Sequence, residues 1–130
     1  MSVTCLIAED SPPVIHLLRT YATMCGYEPT FATVGERVLE LVQQEIPAII
    51  VLNVELPGRV RGWEVLRALK ANQEMRHIPI VVFWLNPDGR NQHSACDADA
   101  SVPIPMNYHA FRTALEAALH GPEDAPRGAL

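Results

Sequence analysis

The stretch IIVLNVELPG, residues 49–58, decides the fold. It opens with four apolar residues, and Asn53 is the first polar side chain that follows them. Such a run is typical of a central parallel strand that other elements cover on both faces. In α/β proteins the carboxyl ends of strands are where sites are built. We therefore predict a site at Asn53, whose neutral amide can neither act as a nucleophile nor carry a charge.

Apolar runs and stretches of helical periodicity alternate on both sides of this strand. Ser11 and Pro12 predict a helix start, with the Ser side chain as its cap, and Gly26 predicts the end of that helix. Pro29 removes a backbone donor, which predicts that its strand lies at the sheet edge. With right-handed crossovers, this order gives a doubly wound parallel sheet with five helices. The five strands are predicted at 3–8, 27–31, 48–53, 78–84 and 100–104.

Length and composition describe one globular domain. A chain of 130 residues can bury a single core, and its formal charge of −5 with scattered Lys and Arg argues against nucleic-acid binding. No apolar run approaches the roughly 18 residues of a membrane span. The start of the chain lacks the features of a signal peptide. Cys5, Cys25 and Cys96 lack metal-ligand spacing, so we interpret them as packing residues in a reducing cytoplasm.

Polar residues follow two of the predicted strands. Glu9 and Asp10, the acidic pair, come directly after the first strand, and Asn53 and Glu55 lie at the end of the third. Because the carboxyl ends of parallel strands meet at one edge of a sheet, we expect these residues to lie close together.

Four stretches carry a resemblance to a known family: LIAEDSP (6–12), IIVLNVELPG (49–58), GWEVLRALKANQEMRHIPIVV (62–82) and DADASVPIPM (97–106). Over most of its length the sequence resembles the receiver domain of bacterial two-component response regulators. The resemblance implies a (βα)5 flavodoxin-like fold with strand order 2-1-3-4-5. It also implies a receiver-like domain over residues 1–120, which leaves 121–130 as a tail or the start of a linker.

In the family that the sequence resembles, an aspartate at the end of strand three takes a phosphoryl group from a histidine kinase. Magnesium, a hydroxyl that ends strand four and a lysine before the last proline stabilise that group. Here Asn53 stands at the acceptor position, Trp84 at the hydroxyl position and Ile104 at the lysine position. An amide cannot attack phosphorus, an indole cannot replace the hydroxyl, and isoleucine offers no cation. The resemblance therefore implies a receiver fold that has lost its reaction and is not an enzyme.

The metal ligands of that family are retained in part. The acidic pair matches, and the backbone carbonyl of Glu55 matches a third ligand. Because neutral Asn53 replaces an anionic ligand, we expect Mg²⁺ to bind weakly or not at all, and we expect no other cofactor. In metal-free protein we predict that an arginine of the following loop, Arg59 or Arg61, or water alone faces the acidic pair.

These residues predict a pseudo-receiver in two-component signal transduction that acts by protein–protein contact, independently of phosphorylation. Its partner is expected to be a signalling protein or a histidine kinase, or a second copy of the chain. The predicted contact face consists of the fourth helix, the fifth strand and the fifth helix, with Tyr108 and His109 on it. Trp84 is predicted to pack in the core and to fill the vacated pocket. Segment 86–97, which is poor in helix formers, is predicted to be the least ordered part of the fold.

Two alternatives stay open at this point. A competent phospho-receiver could use Glu55 or Asp10 as its acceptor. The chain could also be the receiver part of a larger protein with an enzymatic or DNA-binding output, because a fold does not fix a function.

Overall fold

The computed structural model describes residues 3–85, 98–102 and 106–120. Five parallel strands form one sheet in the order β2-β1-β3-β4-β5. They are β1 (Thr4–Ala8), β2 (Glu28–Ala32), β3 (Ile49–Asn53), β4 (Ile80–Phe83) and β5 (Ala100–Val102). This confirms the predicted α/β fold, its strand order and the edge position of the strand that contains Pro29.

The part of the chain that the structure describes contains four helices: α1 (Pro12–Met24), α2 (Gly35–Gln44), α3 (Gly62–Ala71) and α4 (Tyr108–His120). Helix α4 corresponds to the fifth predicted helix, because the fourth falls within 86–97, outside the described residues. The predicted low order of 86–97 and the predicted tail at 121–130 also lie outside them. No helix among the described residues has the length and apolar content that crossing a membrane requires.

Strand β3 lies at the centre of the core, and all five of its residues are buried. Its side chains alternate between the two faces of the sheet. Ile50 and Leu52 join the apolar layer that α2 and α3 cover, whereas Ile49 and Val51 join the layer that α1 and α4 cover. Both faces of β3 are therefore apolar, which explains the uninterrupted apolar run in the sequence.

The cysteines that the structure describes are packing residues, as predicted. Cys5 is fully buried in β1, and burial raises the pKa of its thiol to about 12, which keeps it unreactive. Cys25 is a half-buried free thiol packed against the same layer. Cys96 lies outside the described residues.

The ends of α1 follow the sequence signals in part. Gly26 has a φ of 91°, and its amide donates to the Thr23 carbonyl at 3.0 Å, so the predicted helix end is confirmed. Ser11 is the N-cap residue, but its side chain makes no capping hydrogen bond, so its predicted capping role is wrong. Pro12 and Pro13 fill the first two helical positions, which removes two of the amides that a cap could bind.

The loop after β3 lies close to both Asn53 and α2. Gly62 opens α3, and a Cβ atom there would collide with the carbonyl oxygen of Asn53. Gly58 has a φ of 124°, a left-handed conformation that favours glycine. Its neighbour Pro57 accepts a hydrogen bond from the Gly35 amide of α2 at 3.0 Å. These contacts fix the loop against the end of β3.

Candidate functional site

The predicted cluster of polar residues is present where β1 and β3 end. The two strands are hydrogen-bonded neighbours, with Ala8 opposite Leu52, so the residues that follow them lie side by side. Glu9 is 0% exposed and Asn53 is 4% exposed, and they are the two polar side chains buried in the core of the described residues. Asp10, by contrast, is exposed. The acidic pair is therefore split into one buried and one exposed carboxylate.

Both the nitrogen and the oxygen of the Asn53 side-chain amide are hydrogen-bonded. Its nitrogen donates a hydrogen bond to Oε1 of Glu9 at 2.8 Å, and its oxygen accepts one from the backbone amide of Glu55 at 2.8 Å. A carboxylate has no hydrogen to donate, so aspartate at this position could make only the second bond. The side chain is thus matched to a buried acceptor on one side and to a backbone donor on the other.

Glu9 is a buried carboxylate that is satisfied on one oxygen. Oε1 accepts both the Asn53 amide and the backbone amide of Asp10, the latter at 3.0 Å. Oε2 is buried and has no hydrogen-bond partner among the described residues. Burial raises the pKa of Glu9, and the hydrogen bonds from Asn53 and Asp10 oppose part of that rise. The protonated form of Glu9 is therefore favoured more than it would be in water.

Of the two groups predicted to face the acidic pair, an arginine of the loop or water alone, the arginine is wrong and water stays a prediction. The amide of Arg59 donates to Oε1 of Glu36 at 3.1 Å, and its Nε lies 3.6 Å from Oε2 of the same carboxylate. Arg61 caps α3, where its amide donates to Glu64 at 2.8 Å. Arg59 is therefore turned toward Glu36 at the start of α2. The Asn53 amide, rather than a guanidinium, is the group that meets Glu9.

Glu55 makes a contact that the sequence analysis missed. Its carboxylate oxygen Oε1 accepts a hydrogen bond from the backbone amide of Leu85 at 3.2 Å, just beyond the end of β4. The amide of the preceding residue, Val54, donates to the Phe83 carbonyl at 3.0 Å. The sequence shows that two strands end near each other, but it carries no signal for which side chain spans them.

Of the other two positions that the resemblance singles out, one is described. Trp84 is half-buried and packs against the apolar layer under α2 and α3, so it lies at the border of the core. Its filling of the vacated pocket stays a prediction. Ile104 lies outside the described residues. Trp63, at the start of α3, packs against the same layer, and the Arg67 guanidinium lies 5.0 Å from the centre of its ring.

The donor set at the strand ends does not fit a tight Mg²⁺ site. Mg²⁺ prefers several oxygen ligands in octahedral geometry. Asn53 presents its nitrogen to Glu9, and its oxygen accepts a hydrogen bond from the Glu55 amide, so this side chain could supply at most one neutral oxygen where the family has an anionic ligand. No group of three or more His, Cys, Asp or Glu side chains suited to a metal occurs in 3–85, 98–102 or 106–120. Glu9 and exposed Asp10 remain as two carboxylates.

The residues predicted on the partner face differ in their surroundings. Tyr108 is half-buried: its ring centre lies 5.7 Å from that of Tyr21 in α1, and its hydroxyl lies 3.8 Å from the Cys25 sulfur. It also lines a groove of about 450 Å³ between the end of α1 and α4. His109 is exposed. Tyr108 therefore contributes to the packing of α4 on α1, whereas His109 is open to solvent.

Comparison with known proteins gives one consistent answer. Residues 5–107 match the model of the response regulator receiver domain. The polar-differentiation response regulator DivK of Brucella ovis is 32% identical over 108 residues, which cover 80% of this chain and 87% of DivK.

Solved structures of low sequence identity share the fold. A putative response regulator from Chloroflexus aurantiacus has a TM-score of 0.82 at 20% identity, over 92% of this chain and 99% of its own. The receiver domain of a sensor histidine kinase from Pseudomonas aeruginosa PAO1, solved with a magnesium ion in its active-site cleft, has a TM-score of 0.83 at 17% identity. That match covers 93% of this chain and all of the kinase receiver domain (100%).

Proposed function

The chain belongs to the response regulator receiver family, and we propose that it is a pseudo-receiver, which works in two-component signalling without being phosphorylated. The observation that carries this proposal is the bonding of Asn53. Its amide is almost fully buried and joins Glu9 to the backbone of Glu55. A side chain held in this way is a structural part of the strand-end site rather than a reactive group.

The chemistry of the site supports this proposal. The lone pair of an amide nitrogen is delocalised, so Asn53 offers no nucleophile to phosphorus. Trp84, just after β4, packs against the apolar layer under α2 and α3, and an indole cannot follow a phosphoryl group as a small hydroxyl would. By the resemblance, Ile104 stands at the position where the family has a lysine. The group that would accept the phosphoryl group and the two groups that would stabilise it are thus all replaced.

The same bonding explains how the module keeps its shape without added charge. Two neighbouring carboxylates would repel unless a cation lay between them. Asn53 is neutral and donates to Glu9, so the buried carboxylate has a partner without any metal. We infer that the site holds one conformation and that signalling depends on which protein is bound.

The output of such a module is contact with another protein in the cytoplasm. We propose a signalling protein or a histidine kinase as the partner, or a second copy of the chain. The contact face includes β5 and α4, with His109 as its exposed member and Tyr108 at its border with α1.

Incubation with acetyl phosphate and a millimolar excess of Mg²⁺, followed by intact mass measurement, tests the proposal. We expect no gain in mass from the wild-type protein. A stoichiometric gain of about 80 Da, the mass of one phosphoryl group, would contradict it. Peptide mapping of such a product would show whether Asp10, which is exposed, or Glu55 is the acceptor.

Asn53→Asp is the matched variant for this test. It restores the acceptor and leaves Trp84 and Ile104 unchanged, so we expect slow and incomplete uptake. Uptake by this variant together with none by the wild-type protein would locate the missing reaction at residue 53 itself.

A further inference from the structure

Glu55 is connected to both of the strand ends that border the site. Its backbone amide donates to the Asn53 side chain at 2.8 Å, and its carboxylate accepts the Leu85 amide at 3.2 Å. Asn53 in turn donates to Glu9 at the end of β1. Hydrogen bonds therefore connect the ends of β1, β3 and β4 in sequence. They use the side chains of Glu9, Asn53 and Glu55 and the backbone amides of Glu55 and Leu85.

The contact between Glu55 and Leu85 is a hydrogen bond from a backbone amide to a carboxylate, 3.2 Å long and exposed to solvent. A hydrogen bond in which the acceptor is an ionised carboxylate is worth more than a bond between neutral groups. The last backbone hydrogen bond between the two strand ends runs from the Val54 amide to the Phe83 carbonyl at 3.0 Å. The Glu55 side chain spans the next residues along, so it restrains the chain just beyond the paired strands. Leu85 itself is 41% exposed, so its side chain is only partly covered by the rest of the protein.

We propose that the Glu55 carboxylate is a built-in anion that latches the end of β4 to the end of β3, so that the strand-end site holds a single arrangement with no phosphoryl group added. This inference rests on the proposed function and adds the device by which the site does without phosphorylation. The negative charge beside the ends of β3 and β4 is then that of the Glu55 carboxylate and not that of an added phosphoryl group.

The latch also fixes where the chain leaves the sheet. Trp84 is anchored in the apolar layer under α2 and α3, and the next amide, that of Leu85, is held by Glu55. The path out of β4 is therefore restrained on two consecutive residues by different kinds of contact. Removing the carboxylate should release Leu85 and leave Trp84 packed.

Solvent exchange of the Leu85 amide, measured by NMR on the ¹⁵N-labelled protein, tests the latch. In Glu55→Ala we expect exchange to be faster by roughly tenfold or more, the size expected for loss of a hydrogen bond to a charged group. Glu55→Gln keeps the shape and an acceptor oxygen but no charge, so its exchange should be intermediate. Exchange at Leu85 within twofold of the wild type in Glu55→Ala would overturn the latch.

A matched control uses another carboxylate that accepts a backbone amide. Glu36 binds the Arg59 amide at 3.1 Å. Glu36→Ala should accelerate exchange at Arg59 and leave Leu85 unchanged, while Glu55→Ala should do the reverse. Equal acceleration of both amides in either variant would indicate general loosening and would contradict a local latch.

Glu55→Gln tests whether the charge of Glu55 is needed for the latch. A Glu55→Gln protein with wild-type exchange at Leu85 would overturn the claim that the anion matters. The latch and the proposed function also fail separately. If the Leu85 amide exchanges at the wild-type rate in Glu55→Ala and the wild-type protein takes up no phosphoryl group, the latch is contradicted and the proposed function stands. Phosphoryl uptake by the wild-type protein would contradict the proposed function at any exchange rate of the Leu85 amide.

Discussion

Replacing Asn53 by Asp should destabilise the metal-free fold, although the two side chains have almost the same shape. The Asn53 nitrogen lies 2.8 Å from Oε1 of Glu9, and the variant places a second carboxylate oxygen there. The two side chains are 4% and 0% exposed, so water screens them poorly. Two unit charges at this separation repel by roughly 4–6 kcal/mol when the effective dielectric constant is about 20.

Proton binding sets an upper limit to this repulsion. One of the carboxyls can stay protonated, and holding a proton at pH 7 on a group with a pKa of about 4 costs roughly 4 kcal/mol. Rotation of the new side chain toward solvent relieves part of the strain. We therefore expect the free energy of unfolding to fall by about 2–4 kcal/mol at pH 7, a large share of the total for a typical domain.

The loss should shrink as the pH falls. In the folded variant repulsion between the two carboxylates raises the pKa of the pair above its unfolded value, so that one proton is retained. The penalty is therefore full at neutral pH and disappears as the pH approaches the unfolded value near 4. The stability difference from the wild type should decrease by up to about 1.4 kcal/mol per pH unit in this range.

Urea unfolding followed by circular dichroism at pH 7 and pH 5 measures both effects. Asn53→Ala is the matched control, because it removes the hydrogen bond to Glu9 without adding a charge, so its loss should depend less on pH. An Asn53→Asp protein as stable as the wild type at pH 7 without metal would refute this reasoning.

Three further predictions concern other parts of the fold. Lys70→Met should lower the free energy of unfolding by about 1–2 kcal/mol in urea unfolding, because the half-buried Lys70 amine donates to Asp99 at 2.8 Å. Burial raises the pKa of Glu9, so the wild-type fold should gain stability from this group as the pH falls from 7 toward 4.5, and Glu9→Gln should remove that gain in the same assay. His109→Ala should weaken partner binding in a pull-down and leave the melting temperature unchanged, whereas Tyr108→Ala should lower both because its ring packs on α1.

Control variants separate these effects from general damage. Arg37→Met breaks an exposed ion pair with Glu40, whose side chains are 50% and 62% exposed, and should change stability by about 0.5 kcal/mol or less. A Lys70→Met loss as small as this one would contradict the role given to Lys70. Equal effects of His109→Ala and Tyr108→Ala on the melting temperature would contradict the placement of His109 in solvent.

Much of the fold could be predicted from the sequence because its signals are local. The apolar run of β3 indicated burial on both faces, Pro29 marked an edge strand, and Gly26 supplied the left-handed residue that ends α1. Asn107 likewise binds the Ala110 amide at 2.8 Å at the start of α4. Each of these features depends on a few neighbouring residues.

The details of the site depend on contacts between distant parts of the chain, and these were predicted less well. The strand order correctly predicted that Glu9 and Asn53 are neighbours. The position of Arg59 was not predicted, because it depends on how the loop after β3 packs on α2. Glu36 is nearer to Arg59 than the acidic pair is, and nothing in the sequence around either residue indicates this. The reach of Glu55 to Leu85 likewise requires the spacing of two strand ends in three dimensions.

The central claim is that the strand-end site keeps its arrangement of hydrogen bonds without a phosphoryl group or a metal. Its most direct test is the NMR spectrum of the ¹⁵N-labelled wild-type protein before and after incubation with acetyl phosphate and Mg²⁺. The Asn53 side-chain amide and the backbone amides of Glu55 and Leu85 report on the hydrogen bonds of the site. We predict that none of these resonances shifts. A saturable shift of all three would contradict the account, because it would show that the site still accepts the phosphoryl group or the metal.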